Sequence, residues 1–134
     1  MKHPEWISVR KAMRTEVHLI DGRENVLDAL RLMRAERATS LIIEKRTEKD
    51  EYGIMTLSDI AKQVIARDKS PQRVNVFEIM TKPVVSVHPD MDIRYCARLF
   101  ERFGISRAPV IEDNKIIGMI GYHNLVLEAL PDLD

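Results

Sequence analysis

The chain repeats one pattern. Met13-Arg14-Thr15-Glu16-Val17 opens a unit of about 55 residues, and Met80-Thr81-Lys82-Pro83-Val84 opens a second at an offset of 67 positions. At that offset Val17 matches Val84, Ile20 matches Val87, Val26 matches Ile93, Leu32 matches Leu99, Met33 matches Phe100 and Ile43 matches Val110. After a two-residue excess in the first copy, Gly53-Ile54-Met55 matches Gly118-Met119-Ile120. Most of these matches are apolar, so the copies share a buried pattern more than a surface. Duplication of this kind fixes an architecture and creates clefts related by a pseudo-two-fold axis.

Each copy reads as strand, amphipathic helix, two strands and a closing helix. In the first, Val17 to Ile20 is a short strand, and Val26, Ala29, Leu30 and Met33 recur at helical spacing. Leu41 to Ile43 and Tyr52 to Met55 are apolar strands around a charged hairpin, and Ser58 to Ala66 closes the unit. Arg67 to Gln72 is polar and contains Pro71, as a linker should. In the second copy Val84 to Val87 is expected as a strand. Asp90 is the expected N-cap of the next helix, with Asp92 in its first turn. Ile93, Cys96, Ala97, Phe100 and Phe103 are expected to form its buried face, and Gly104 stops it. Ala108 to Ile111 and Ile116 to Ile120 flank a tight turn, and Leu125 to Leu130 closes the copy. Before the repeat, residues 4 to 13 suit a short helix with Pro4 in its first turn; Trp6 there is either a packed leader residue or a subunit-contact anchor. The expected boundaries are 1–12 for this leader, 13–66 for the first repeat, 67–75 for the linker and 76–134 for the second repeat.

Composition narrows the function. Of 134 residues 45% are hydrophobic, enough for a packed core. Lys plus Arg and Asp plus Glu both number 21, which argues against a general nucleic-acid binder, since phosphate demands excess positive charge. No apolar run approaches membrane-spanning length, the start lacks a signal-peptide pattern, and the single Cys96 permits no internal disulfide. These features point to a cytoplasmic protein.

Three signatures, duplicated in order, resemble a tandem pair of CBS domains, also called a Bateman module. The first is Ile79-Met80-Thr81-Lys82-Pro83-Val84, with a degraded form around Met13. The second is Gly104-Ile105-Ser106-Arg107-Ala108-Pro109-Val110, matched loosely by Arg37 to Ile43. The third is Gly53-Ile54-Met55-Thr56-Leu57-Ser58-Asp59-Ile60, matched by Gly118 to Leu125. The resemblance covers about residues 10 to 130 and implies an α/β (α+β) fold, two β-α-β-β-α repeats packed sheet to sheet. It also implies a non-enzymatic sensor that binds AMP, ADP or ATP in a cleft between the repeats, signals to an effector protein and forms a homodimer.

The residues give the ligand reading a chemical basis. Aspartate offers acceptor-only oxygens for both ribose hydroxyls, and a threonine three residues earlier stands at the strand-to-helix corner. A glycine ahead of them would let backbone approach the ligand closely. Thr56-x-x-Asp59 is also an ordinary helix start with reciprocal capping. The two roles are compatible. In the second copy Gly121 and Asn124 replace them, so only one site looks complete. The resemblance places Arg107 on ligand phosphate, where the first copy has uncharged Ser40. It adds Ser106 beside Arg107, makes Val17, His18 and Ile20 an adenine pocket, and makes Ile105 and Pro109 a cleft wall. Thr81, Pro83, Val84 and Asn124 would line a weaker second cleft.

Other chemistries find no support in sequence. His3, His18, His88 and His123 show no metal-ligand spacing among themselves or with Cys96, which falls on an apolar face as a core thiol. There is no Gly-rich phosphate loop and no motif marking a nucleophile or an acid–base pair. Two alternatives to the nucleotide sensor remain: a dimerising scaffold with no physiological ligand, and a module for S-adenosylmethionine or NADH.

Overall fold

The computed structural model describes residues 6–130, so Pro4 of the expected leader helix lies outside the described residues. The helix that does form is α1, Val9–Ala12, with the Ser8 side chain capping it. The remaining elements are β1 (Leu19–Ile20), α2 (Val26–Glu36), β2 (Ser40–Ile43), β3 (Gly53–Thr56), α3 (Leu57–Ile60), α4 (Val76–Ile79), α5 (Ile93–Phe103), β4 (Arg107–Glu112), β5 (Lys115–Gly121) and α6 (Tyr122–Ala129). A π-helical turn, Ala61–Ile65, extends α3. The mixture of short sheets and helices is the expected α+β content.

The chain divides into two compact units, one spanning His18–Val84 and the other joining residues up to Val17 with those from Val85 onward. These are not the two sequence repeats. Each repeat sends its opening segment to the sheet of the other. In the His18–Val84 unit, Thr81 bridges Ile54, and paired bonds run from Thr81 N–H to Ile54 O and back at 2.8 and 2.9 Å. In the other unit Arg14 bridges Met119 in the same way, at 2.9 and 2.8 Å. Helices α4 and α1 precede these bridges as equivalents. The sequence reading missed α4, because four residues are too few to show a helical period.

In the His18–Val84 unit β1 runs parallel to β2, and β2 pairs antiparallel with β3, with Ser40 opposite Thr56 and Ile42 opposite Ile54. Ile20, Val26, Ala29, Met33, Leu41 and Met55 form its core together with Val76 and Ile79 from α4. In the other unit β4 and β5 form the hairpin, closed by Asp113 and Asn114, both at positive φ (52° and 63°) as a mirror-image turn requires. Phe100, Cys96, Val110 and Ile120 are the centre of its core, with Val9 from α1.

Three local expectations need correction. Val84 to Val87 does not form a strand; only Val87 makes a bridge, parallel to Val110. Pro83 and Pro89 bracket the segment and lack the N–H groups that would extend a ladder. The N-cap of α5 is Asp92, not Asp90. Asp90 sits in the turn closed by Met91 N–H to His88 O, whereas the Asp92 backbone bridges Ser8 and its carboxylate accepts from Arg94 N–H at 2.8 Å. Phe103, expected on the buried face of α5, is exposed, because the helix leaves the core in its last turn. Gly104 ends α5 in the left-handed region, as expected.

Candidate ligand-binding site

The strand-to-helix corner of the His18–Val84 unit collects three of the expected site residues. The antiparallel register sets Ser40, at the start of β2, directly across from Thr56, at the end of β3. Thr56 then caps α3. Its hydroxyl oxygen accepts from Asp59 N–H at 3.2 Å, while Asp59 Oδ2 accepts from Thr56 N–H at 2.8 Å and from its hydroxyl at 3.1 Å. The capping arrangement is therefore real. Within this cap both bonds to the carboxylate fall on Oδ2, and Oδ1 takes no part in it. Thr56, Asp59 and Ser40 are half-buried, and Leu57 N–H donates to Thr39 O at 3.2 Å, which ties the two strands together at this end. His18, half-buried, is linked to the same sheet through its carbonyl, which accepts from Ile42 N–H at 2.9 Å.

The equivalent corner of the other unit is chemically different. Arg107, half-buried, stands across from Gly121 in the β4–β5 register. Asn124 Oδ1 accepts from Gly121 N–H at 2.9 Å, which reproduces half of the first corner's capping arrangement with an amide. Ser106 is exposed, and its carbonyl accepts from Tyr122 N–H at 3.2 Å. Pro109 is fully buried, and Ile20 is a core residue of its own unit, so both are structural before they are anything else. Val17 is half-buried. Thr81, Pro83 and Val84 belong to the unit that carries Asp59, whereas Asn124 belongs to the other.

The glycines ahead of the corners make room for the chain itself. A Cβ on Gly53 would lie 2.8 Å from Met80 Sδ and 3.2 Å from Thr81 O. On Gly118 it would lie 2.5 Å from Arg14 O and 2.8 Å from Met13 Sδ. What approaches closely is the opening segment of the other repeat.

In the unit that carries Arg107, His88, Asp90 and Glu112 bring ligand-type atoms together, but Arg10 reaches into the group, 2.7 Å from Glu112 and 3.8 Å from Asp90, and supplies the positive charge itself. Cys96 is buried, and burial pushes its thiol up to about 11, as an inert core residue requires. Among the described residues no helix is long and apolar enough to cross a membrane.

Two α+β units built on exchanged opening segments, each with a strand-to-helix corner, define a duplicated module. The CBS domain model matches residues 9–66 and 76–130, and the chain belongs to the CBS domain family. An uncharacterised protein of Methanopyrus kandleri is 31% identical over 122 residues, covering 90% of this chain, which spans 61% of that relative's length. The hexameric CBS-CP12 protein from bloom-forming cyanobacteria superposes with a TM-score of 0.88 at 37% identity, covering 92% of this chain and 71% of that one. A CBS domain pair solved in complex with 5′-methylthioadenosine and S-adenosyl-L-methionine superposes with a TM-score of 0.77 at 22% identity, covering 89% of this chain and 96% of that one. At that identity the likeness is one of fold. Proteins of this family are typically regulatory and non-catalytic.

Proposed function

We propose that the chain is a sensor for an adenosine-bearing molecule, with AMP, ADP or ATP as the preferred class, and that occupancy is relayed to a partner protein. The observation that carries this reading is the oriented carboxylate of Asp59. The cap fixes Oδ2 against Thr56 and leaves Oδ1 to accept from a ribose hydroxyl. Ser40 and Thr56 sit opposite one another beside it and offer further polar contacts. Arg107 is assigned to ligand phosphate, and Val17 and His18 to the adenine. The pattern at Gly121 and Asn124 favours one ligand per chain, since glycine lacks the hydroxyl and asparagine the charge. The complex of a similarly folded CBS pair with two adenosine-bearing molecules supports the ligand class. The hexameric state of the CBS-CP12 protein supports self-association.

The alternative ligand, S-adenosylmethionine, has the same ribose but no phosphate and would make Arg107 dispensable. The test is thermal unfolding with AMP, ADP, ATP, S-adenosylmethionine and NADH, in wild type and in Arg107→Ala. A ligand that binds only the folded state raises its stability by about 2.7 kcal/mol at a hundred times its dissociation constant. A rise with a nucleotide that Arg107→Ala reduces supports the nucleotide reading. An undiminished rise with S-adenosylmethionine would replace it, and no rise with any of the five would overturn the sensor reading.

A further inference from the structure

A second pocket lies in the His18–Val84 unit, at the far end of β2 from the Ser40–Thr56 corner. The two ends of β2, Ser40 and Ile43, stand roughly 10 Å apart at the rise of a strand. The cavity has a volume of about 280 Å³. Ile43, Phe77 and Met80 give it an apolar wall, and Asp21, Arg23, Glu44, Arg46 and Lys82 charge its rim. The other unit carries the same frame with a different side chain in it. Phe77 N–H donates to Gly22 O and Arg10 N–H to Pro89 O, both at 2.9 Å, so Arg10 is the counterpart of Phe77. Arg10 meets Glu112 at 2.7 Å and Asp90 at 3.8 Å, and the chain pairs its own charges there. Phe77 carries no charge and is 50% exposed.

The rim charges do not all cancel locally. Arg23 folds back onto Asp21 through two bonds of 2.8 and 3.1 Å, and that pair neutralises itself. Lys82 Nζ lies 2.7 and 2.8 Å from the two oxygens of Asp50. Arg46 reaches the same carboxylate only at 3.6 Å, with its side chain 82% exposed, so two cations share one acid. Glu44 is exposed, and among the described residues no hydrogen bond or ion pair engages its carboxylate. One guanidinium and one carboxylate therefore stand beside an apolar wall with bonding capacity to spare. We infer that this pocket binds a small zwitterion with an apolar body, the chemistry of an apolar α-amino acid. Its carboxylate would meet Arg46, whose planar fork suits that group, its ammonium would meet Glu44, and its side chain would lie against Phe77, Ile43 and Met80. At the density of a protein interior the cavity takes roughly a dozen non-hydrogen atoms, enough for phenylalanine and too few for a nucleotide. Phe77 and Lys82 belong to the opening segment of the second repeat, whereas Ile43, Glu44 and Arg46 belong to the hairpin of the first, so the ligand would clasp one to the other. The inference is independent of the adenosine reading.

The test is an NMR titration of the full chain with three probes: L-phenylalanine, 3-phenylpropionate, which lacks the ammonium, and 2-phenylethylamine, which lacks the carboxylate. Arg46 and Glu44 are both exposed, so Arg46→Ala and Glu44→Gln leave the core untouched, and their amide spectra confirm that they fold. L-Phenylalanine should move the amide signals of Glu44, Phe77 and Lys82 with a dissociation constant of about 1 mM or lower. The acid and the amine should each bind about fivefold more weakly. Arg46→Ala should weaken L-phenylalanine by a similar factor and leave the amine unaffected, and Glu44→Gln should weaken it while leaving the acid unaffected. No movement of these three signals with L-phenylalanine at about 10 mM overturns the site. Equal binding of the three probes, or equal binding of L-phenylalanine by wild type and both variants, overturns the zwitterion.

Discussion

Replacing Gly118 by alanine tests the exchange of opening segments. The new Cβ would stand 2.5 Å from Arg14 O and 2.8 Å from Met13 Sδ. The thioether can rotate away, but the carbonyl cannot move freely, because it accepts from Met119 N–H at 2.8 Å. Ordinary carbon contacts begin near 3.5 Å, so the segment must retreat by up to about 1 Å. Overpacking of that kind costs about 1–3 kcal/mol. Weakening one of the paired backbone bonds adds about 1 kcal/mol. The loss of glycine's freedom in the unfolded chain returns about 0.4–1 kcal/mol. The net is a destabilisation of about 1–3.6 kcal/mol, or a fall in Tm of roughly 3–18 °C at this chain length. Gly104→Ala is the internal control. Its φ of +65° penalises any side chain, but no atom lies within 4 Å of the added Cβ. It should cost about 1 kcal/mol. Gly53→Ala should fall between the two, since its closest neighbour is the flexible Met80 thioether and the Thr81 carbonyl stands further off at 3.2 Å. Differential scanning calorimetry of the three variants decides the matter. A Gly118→Ala midpoint no lower than that of Gly104→Ala would refute the claim that the Met13–Arg14 segment lies on β5.

Two further outcomes follow from side-chain environment. The Arg94 guanidinium, hydrogen-bonded to buried Asp92, holds that carboxyl below the usual carboxylate range. A depressed folded-state pKa stabilises above the unfolded value and loses that contribution as pH falls through the folded value. Asp92→Asn keeps a good N-cap but should be less stable than wild type at pH 7, with the difference closing as pH falls below about 4 in urea titrations; a pH-independent difference would contradict the ion pair. Cys96 is buried with its thiol raised to about 11, so a thiol reagent at pH 8 should leave the folded chain unlabelled and modify it only after unfolding; rapid labelling of the native protein would place Cys96 elsewhere.

The parts of the fold that local chemistry determines were legible in the sequence. Val26, Ala29 and Met33, like Ile93, Cys96 and Phe100, repeat at helical spacing and face the cores. Gly104 and the Asp113–Asn114 turn mark their own positions by the backbone conformations they favour. What was not legible depends on partners distant in sequence. Nothing local tells Thr81 to join β3 or Arg14 to join β5, so the swap of opening segments and the reason for Gly53 and Gly118 emerged only in three dimensions. The choice of Asp92 over Asp90 as a cap has the same origin, since it is Ser8 that holds the Asp92 backbone. At the candidate site the motif Thr56-x-x-Asp59 was visible, but the division of the carboxylate into a capping oxygen and one outside the cap was not.

The account turns on Asp59, and the second repeat shows how to test it without breaking the helix. There Asn124 holds the equivalent capping bond to Gly121 through its amide oxygen. Asp59→Asn should likewise keep its cap while turning the available acceptor into an amide donor. The measurement is calorimetric titration of wild type and Asp59→Asn with whichever adenosine-bearing molecule stabilises the fold. The account predicts one site per chain, weakened in the variant by about 1.5–3 kcal/mol, tenfold or more, with an unchanged unfolding midpoint in the absence of ligand. Equal affinity in the two proteins would contradict it.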